Sequence, residues 1–150
     1  YLGGERTPLN DAQIRGAFLG LEHATDRAAA TRAVLEGVTF ALRDCRDALA
    51  ATGTRIDSLL ALGGGSRSDY WLEALATALG QTVSLPVAGD FGGAFGAARL
   101  GLMAATEVGA EIATPPKIEQ KIDPNTAQMA AFDDAHARYR DAANAIGSLS

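Results

Sequence analysis

At 150 residues and 47% apolar content, the chain is large enough for one domain with its own core, or for one piece of a larger domain. A net charge of −5 without any basic cluster argues against a non-specific nucleic-acid surface. No apolar run approaches the roughly 20 residues that span a bilayer, and no signal peptide is present; the first residue is Tyr1, so the chain reads as beginning inside a longer polypeptide.

Residues 1–10, YLGGERTPLN, read as a loop from their Gly-Gly, Thr-Pro and Asn content, with Glu5 and Arg6 as a solvated pair or as groups facing a ligand or neighbouring domain. Residues 14–21, IRGAFLGL, are apolar but broken by Gly16 and Gly20, and fit an edge strand or a close-packed loop equally. Asp26 is placed to cap a long helix that runs to about Thr52 and is closed by Gly53. Its expected buried stripe is Ala30, Val34, Val38, Ala41, Cys45 and Leu49, with Arg27, Arg32, Arg43 and Arg46 on the wetter side. Cys45 is the lone cysteine, expected as a buried structural thiol, and the absence of a disulfide partner fits a reducing cytoplasm. His23 and His136 have no second ligand at metal spacing, so solvated or locally hydrogen-bonded rings are expected.

The most informative stretch is residues 56–80, IDSLLALGGGSRSDYWLEALATALG. The run IDSLLAL predicts a short buried strand. Gly63, Gly64 and Gly65 then form a turn where backbone can approach a ligand with no Cβ in the way. Ser66 and Asp69 have capping-box-like spacing; Trp71, Leu72, Leu75, Ala76 and Leu79 recur at helical intervals, and Gly80 stands where a helix-ending glycine belongs. Such a helix start suits an anion. The string is neither G-x-G-x-x-G nor a P-loop, and spacing alone fits a plain tight turn as well as a ligand loop. Trp71 is expected as core beneath the turn.

Residues 81–86, QTVSLP, predict a second strand, parallel to the first across the helical crossover. Residues 89–106 repeat the glycine-turn-to-helix pattern with first turns of almost pure Gly and Ala, so a second backbone or flat ligand must come close. Asp90-Phe91-Gly92 spells a protein-kinase metal motif by coincidence, since no other kinase element accompanies it; Asp90 suits a turn or cap. Residues 109–122 are expected to be irregular around Pro115-Pro116, and Asp123-Pro124 to start a last helix as cap and first residue. Met129, Phe132, His136, Tyr139, Ala143 and Ile146 supply its packing seam. No repeat or linker divides the chain.

Four segments taken jointly carry a family resemblance: YLGGERTP (1–8), GAFLGLEHATDRAAATRAVLE (16–36), LGGGSRSDYWLEAL (62–75) and GDFGGAFGAARL (89–100). In this order they resemble the C-terminal part of the FGGY family of carbohydrate kinases, its pentulose kinases above all. Ala29-Ala30 departs from the family's acidic or amide residue followed by a large apolar one, which touches helix packing and no chemistry.

The resemblance implies an α/β chain forming the C-terminal portion of an actin-like, ribonuclease H-like ATPase domain, namely the second, ATP-binding domain of a sugar kinase whose sugar-binding domain lies outside these residues. It implies ATP, with Mg2+ carried by the nucleotide, and phosphorylation of a pentulose, D-xylulose to D-xylulose 5-phosphate first. By resemblance Gly63, Gly64 and Gly65 pass close to the phosphates and ribose, Ser68 and Asp69 sit at polar contacts to base or sugar, and Arg6 is a cleft candidate. The family's catalytic aspartate lies upstream, so no catalytic residue and no metal ligand is assigned here; Asp57, Asp69 and Asp90 each have a local explanation, and the fragment alone is expected to be inactive. The implied partners are the sugar, ATP and the rest of the polypeptide, with a homodimer left open and neither nucleic acid nor membrane expected. Ribulose, fuculose or glycerol as substrate, and a non-catalytic actin-like nucleotide-binding domain, remain the alternatives.

Overall fold

The computed structural model describes residues 1–87, 92–106 and 108–147. Residues 1–26 form an extended loop that contains one antiparallel bridge, where the Glu5 N–H donates to the Asp11 carbonyl at 2.7 Å. Ile14 plugs this loop into the body at 5% exposure, while Phe18, Leu19 and Leu21 are exposed. Of the two readings for residues 14–21, the loop is the one found.

Helix α1 (Arg27–Ala51) starts and stops where the sequence dictates. The Asp26 carboxylate accepts from the Ala29 N–H at 2.7 Å, and Gly53 takes a left-handed φ of 85° after Thr52. Strand β1 (Leu59–Leu60), a glycine turn, helix α2 (Asp69–Leu79) and strand β2 (Val83–Pro86) follow as the expected parallel crossover. Gly80 ends α2 in the left-handed conformation at φ 60°. Helix α3 (Gly92–Thr106) comes next; the expected turn around Gly89 and Asp90 lies outside the described residues. Strand β3 (Ile118–Ile122) and helix α4 (Met129–Gly147) complete the order.

Helix α2 is the centre of the packing. One face places Leu72 and Ala76 on Val83, with Leu59, Leu75, Leu85 and Ile122 around them, against the three-stranded sheet ordered β1-β2-β3. The other face sets Ala74 and Ala78 against Phe40 of α1 and Phe132 of α4, with Tyr139 beside them. The alanines let three helices approach closely, and each large side chain buried this way contributes about 1.5–3 kcal/mol. His136 is buried on this side and hydrogen-bonds Asp44 of α1 at 2.9 Å, the locally bonded alternative for that ring.

Four expectations need correction. The first strand is two residues long and does not occupy the whole run from Ile56 to Leu62, because β2 pairs with it only over Leu59 and Leu60. Residues 118–122 form a strand where irregular chain was expected: IEQKI lacks strict alternation, and its structure comes from backbone pairing to β2 as an antiparallel strand. Helix α4 begins at Met129, not after Asp123-Pro124. The chain there is tied down instead, with Thr82, between α2 and β2, donating to Asp123 at 2.6 Å and the Asn125 N–H donating to Thr77 of α2 at 3.0 Å.

The fourth correction concerns α1. Half of the expected stripe is outward, with Val34 45%, Val38 40% and Leu49 47% exposed, Ala30, Ala41 and Cys45 are only partly covered, and the buried residues are Thr39 and Phe40. Arg43 and Arg46, expected on the wetter side, turn inward to Asp133 and to the Leu79 carbonyl. Cys45 is half-buried, its thiol donating to the Thr7 carbonyl at 2.9 Å. Burial, with Glu5 and Asp44 nearby, pushes its pKa up.

Candidate functional site

The turn between β1 and α2 gathers five of the residues singled out by sequence. Gly63 takes φ 85°, a conformation that side chains resist, and releases the chain into a short 3₁₀ turn, Gly64–Arg67. The first bond of that turn runs from the Ser66 N–H to the Gly63 carbonyl at 3.1 Å, and the Ser66 hydroxyl donates to the same oxygen at 2.7 Å. The N–H groups of Gly64 and Gly65 therefore precede the first bonded turn, as unpaired donors do at a helix start.

Ser68, not Ser66, is the helix cap: its Oγ accepts from the Trp71 N–H at 3.3 Å and its carbonyl accepts from Leu72 at 3.0 Å. This replaces the expected Ser66–Asp69 box. Asp69 is the first residue of α2, exposed and complementary to the helix dipole. Ser68 thus has a structural task of its own.

The three glycines are not equivalent. Among the described residues, a Cβ on Gly63 or Gly64 meets no atom within 4 Å, so the outer side of the turn is open to them. A Cβ on Gly65 would lie 2.5 Å from Trp71 Cζ3, so Gly65 is required by the indole beneath it. Trp71 lies beneath the turn as expected but is half-buried and not part of the core, and its Nε1–H donates to Thr39 Oγ1 at 3.1 Å, fastening the turn to α1.

Beside the first turn of α2, the Tyr70 hydroxyl donates to Glu36 Oε1 at 2.6 Å, and Arg32 Nε donates to the same oxygen at 2.7 Å. Burial, reinforced by the Glu36 carboxylate, pushes the Tyr70 phenol up to about 12. Arg32 is raised by its bond to Glu36. Tyr70 and Arg32, with Asp26, Arg27, Thr31 and Leu35, edge an open cavity of about 570 Å³. This cluster was not legible as a whole in the sequence. The Arg32–Glu36 spacing of four was a visible signal, but the reach of Tyr70 from another helix was not.

Arg6 is exposed on the N-terminal loop, which is held to α1 by the Cys45–Thr7 bond. Asp57 pairs with Arg55 at 2.5 Å on the surface, and Asp90 lies outside the described residues. Among the described residues no group of three or more His, Cys, Asp or Glu is arranged to hold a metal ion. No helix among them is long and apolar enough to cross a membrane. Chemically, the turn offers backbone donors, small residues and a helix start, which suits binding of an anionic ligand.

Residues 1–105 match the model of the FGGY family of carbohydrate kinases, C-terminal domain. The xylulose kinase of Escherichia coli K12 is 41% identical over 142 residues, covering 93% of this chain and 29% of that protein. The erythritol kinase of Brucella abortus is 31% identical over 154 residues, covering 97% of this chain and 28% of the relative. A solved structure described as a xyloylose kinase from Brucella ovis superposes with a TM-score of 0.88 at 57% identity, over 100% of this chain and 31% of that one. The chain therefore spans under a third of the length of these relatives, and its fold is that of the C-terminal part of an actin-like, ribonuclease H-like ATPase domain.

Proposed function

The chain belongs to the FGGY family of carbohydrate kinases, whose C-terminal domain it carries, and from that premise we propose that it forms the nucleotide side of a cytoplasmic, ATP-dependent sugar kinase. In this reading it is the C-terminal part of the second domain, and the sugar-binding domain belongs to the rest of the polypeptide. The observation that carries it is the outer side of Gly63 and Gly64, open among the described residues, in the turn that leads into α2. A phosphate there meets backbone N–H groups and the positive end of a helix, with no side chain of the described residues in its way.

Gly63, Gly64 and Gly65 line the phosphates and ribose, Gly65 through its backbone because its α-carbon side is filled by Trp71. Asp69, exposed at the first position of α2, accepts from a ribose or base donor; Ser68 contributes chiefly by capping the helix that presents these groups. Among the described residues the cradle is small, open and free of competing carboxylates at Gly63 and Gly64, which fits a nucleotide. Magnesium, arriving with ATP, supplies charge neutralisation across the phosphates. Phosphoryl transfer asks for positioning and electrostatics, and this piece contributes positioning. The proton of the attacking hydroxyl is taken by a group outside these residues, so the 150 residues alone release no ADP.

The substrate proposed first is D-xylulose, phosphorylated to D-xylulose 5-phosphate, supported by the Escherichia coli relative. A second reading, a polyol such as erythritol, is supported by the Brucella abortus relative. Sugar-dependent ADP release by the full-length polypeptide, across ketopentoses and polyols, separates them. The highest kcat/KM is expected with D-xylulose. A higher value with erythritol transfers the assignment, and ATP binding without any turnover supports a non-catalytic nucleotide-binding domain instead.

A further inference from the structure

We propose that Glu36 is a positioning residue for the nucleotide: without touching it, the carboxylate of α1 holds the first turn of α2, and with it the glycine turn, in place through Tyr70. This inference rests on the reading that the glycine turn receives the phosphates of ATP. Among the described residues no atom lies within 4 Å of a Cβ built on Gly63 or Gly64, so side-chain packing does not hold the outer part of the turn. Glycine also has the most backbone freedom to lose. A seat made of backbone N–H groups nevertheless has to stay within about 0.5 Å of its working geometry. Its rigidity therefore comes from the element it leads into, which is α2.

The start of α2 is anchored to α1 at two successive residues. The Tyr70 hydroxyl donates to Glu36 Oε1 at 2.6 Å, and the Trp71 Nε1–H donates to Thr39 Oγ1 at 3.1 Å. Residues 70 and 71 project about 100° apart around α2, whereas 36 and 39 are neighbours on one face of α1. A single anchor leaves a helix start free to roll about its axis; two anchors at different angles stop it. The Trp71 anchor supports the turn from beneath, through Gly65. The Tyr70 anchor is the outer one, with Tyr70 42% exposed and outside both clusters of the core. Its bond to a carboxylate is short and charge-assisted, and Arg32 Nε, donating to the same oxygen at 2.7 Å, steadies Glu36 in turn. Water can satisfy a partly exposed hydroxyl, so loss of this bond costs the fold little. What water cannot replace is the tie between the two helices.

The affinity of the full-length polypeptide for ATP, measured by titration calorimetry without sugar, tests this in Tyr70→Phe, Glu36→Ala and the double variant. Each single variant is expected to raise the Kd for ATP about fivefold or more while Tm falls by less than about 3 °C. The double variant is expected to be no weaker than the weaker single one, because both substitutions remove one link. Glu36→Gln keeps an oxygen acceptor for Tyr70 and is expected to return the Kd to within about twofold of wild type. An unchanged Kd in Tyr70→Phe and Glu36→Ala overturns the proposal. So do effects that multiply in the double variant, since Glu36 then acts by another route, and a Glu36→Gln variant as weak as Glu36→Ala. A weaker Kd that appears only with a large fall in Tm returns the pair to a structural role. Gly64→Val, titrated beside them, tests the premise separately. A raised Kd there with none in Tyr70→Phe removes the clasp and leaves the nucleotide seat. An unchanged Kd in Gly64→Val, or a wild type that binds no ATP, removes the seat and the clasp with it.

Discussion

The ring of Trp71 stands against the α-carbon of Gly65, with Cζ3 2.5 Å from where a Cβ would be built. The contact makes the glycine turn and α2 one packed unit, since the same indole reaches Thr39 in α1. Gly65→Ala must therefore displace a ring held at both ends. A loss of about 1–3 kcal/mol is expected, the usual range for an overpacked site. Thermal unfolding of the variant checks this, and an unchanged Tm means that the ring moves freely.

Thr39, fully buried, accepts from Trp71 Nε1 while its own hydroxyl donates to the Leu35 carbonyl at 2.9 Å. Thr39→Val keeps the shape and strands the indole N–H. A cost of about 1–3 kcal/mol is expected from the unsatisfied donor. Trp71→Phe in the same background should recover part of it, which a double-mutant cycle on denaturant unfolding will show.

Helices α1 and α4 are joined by the His136–Asp44 bond, with side chains 8% and 11% exposed, beside the Phe40–Phe132 ring contact. Asp44→Ala leaves a buried imidazole without this partner. A loss of about 1–3 kcal/mol is expected, against about 0.5 kcal/mol for the exposed Asp57→Ala. Chemical denaturation of the two variants compares them directly.

The Tyr70 phenol, pushed up to about 12 by burial and by Glu36, makes a pH-dependent contribution of known sign. An unfolded tyrosine ionises near 10, so between about 10 and 12 the folded state holds a proton that the unfolded state has lost. The contribution is whole below pH 10 and is lost as pH rises toward 12. In the difference between wild type and Tyr70→Phe, phenolate absorbance should emerge nearer 12 than 10. A midpoint near 10 contradicts the burial argument.

Local signals in this sequence were reliable at three helix boundaries. Asp26 caps α1, Gly53 and Gly80 end their helices with positive φ, and the parallel β1–α2–β2 order follows from the crossover. Signals that depend on a neighbour were not. Strand β3 exists through pairing to β2, and α4 starts late because Asp123 and Asn125 are engaged by Thr82 and by Thr77 and Glu73. The apolar side of α1 was correctly seen as apolar but not as outward-facing, because periodicity finds a stripe without saying what covers it. At the candidate site the glycines were legible as a group. Their division into Gly63 and Gly64, open, and Gly65, filled by Trp71, required the packing.

That division gives the most direct test of the central claim, that the open side of this turn receives the nucleotide. Gly64→Val adds a side chain where none of the described residues lies within 4 Å, so folding stability should change by no more than about 0.5 kcal/mol. In the full-length polypeptide, the KM for ATP is expected to rise at least about tenfold, a loss of roughly 1.4 kcal/mol of binding, while the KM for the sugar stays within about twofold. An unchanged KM for ATP in a normally folded Gly64→Val protein would contradict the account and return the turn to a purely structural role.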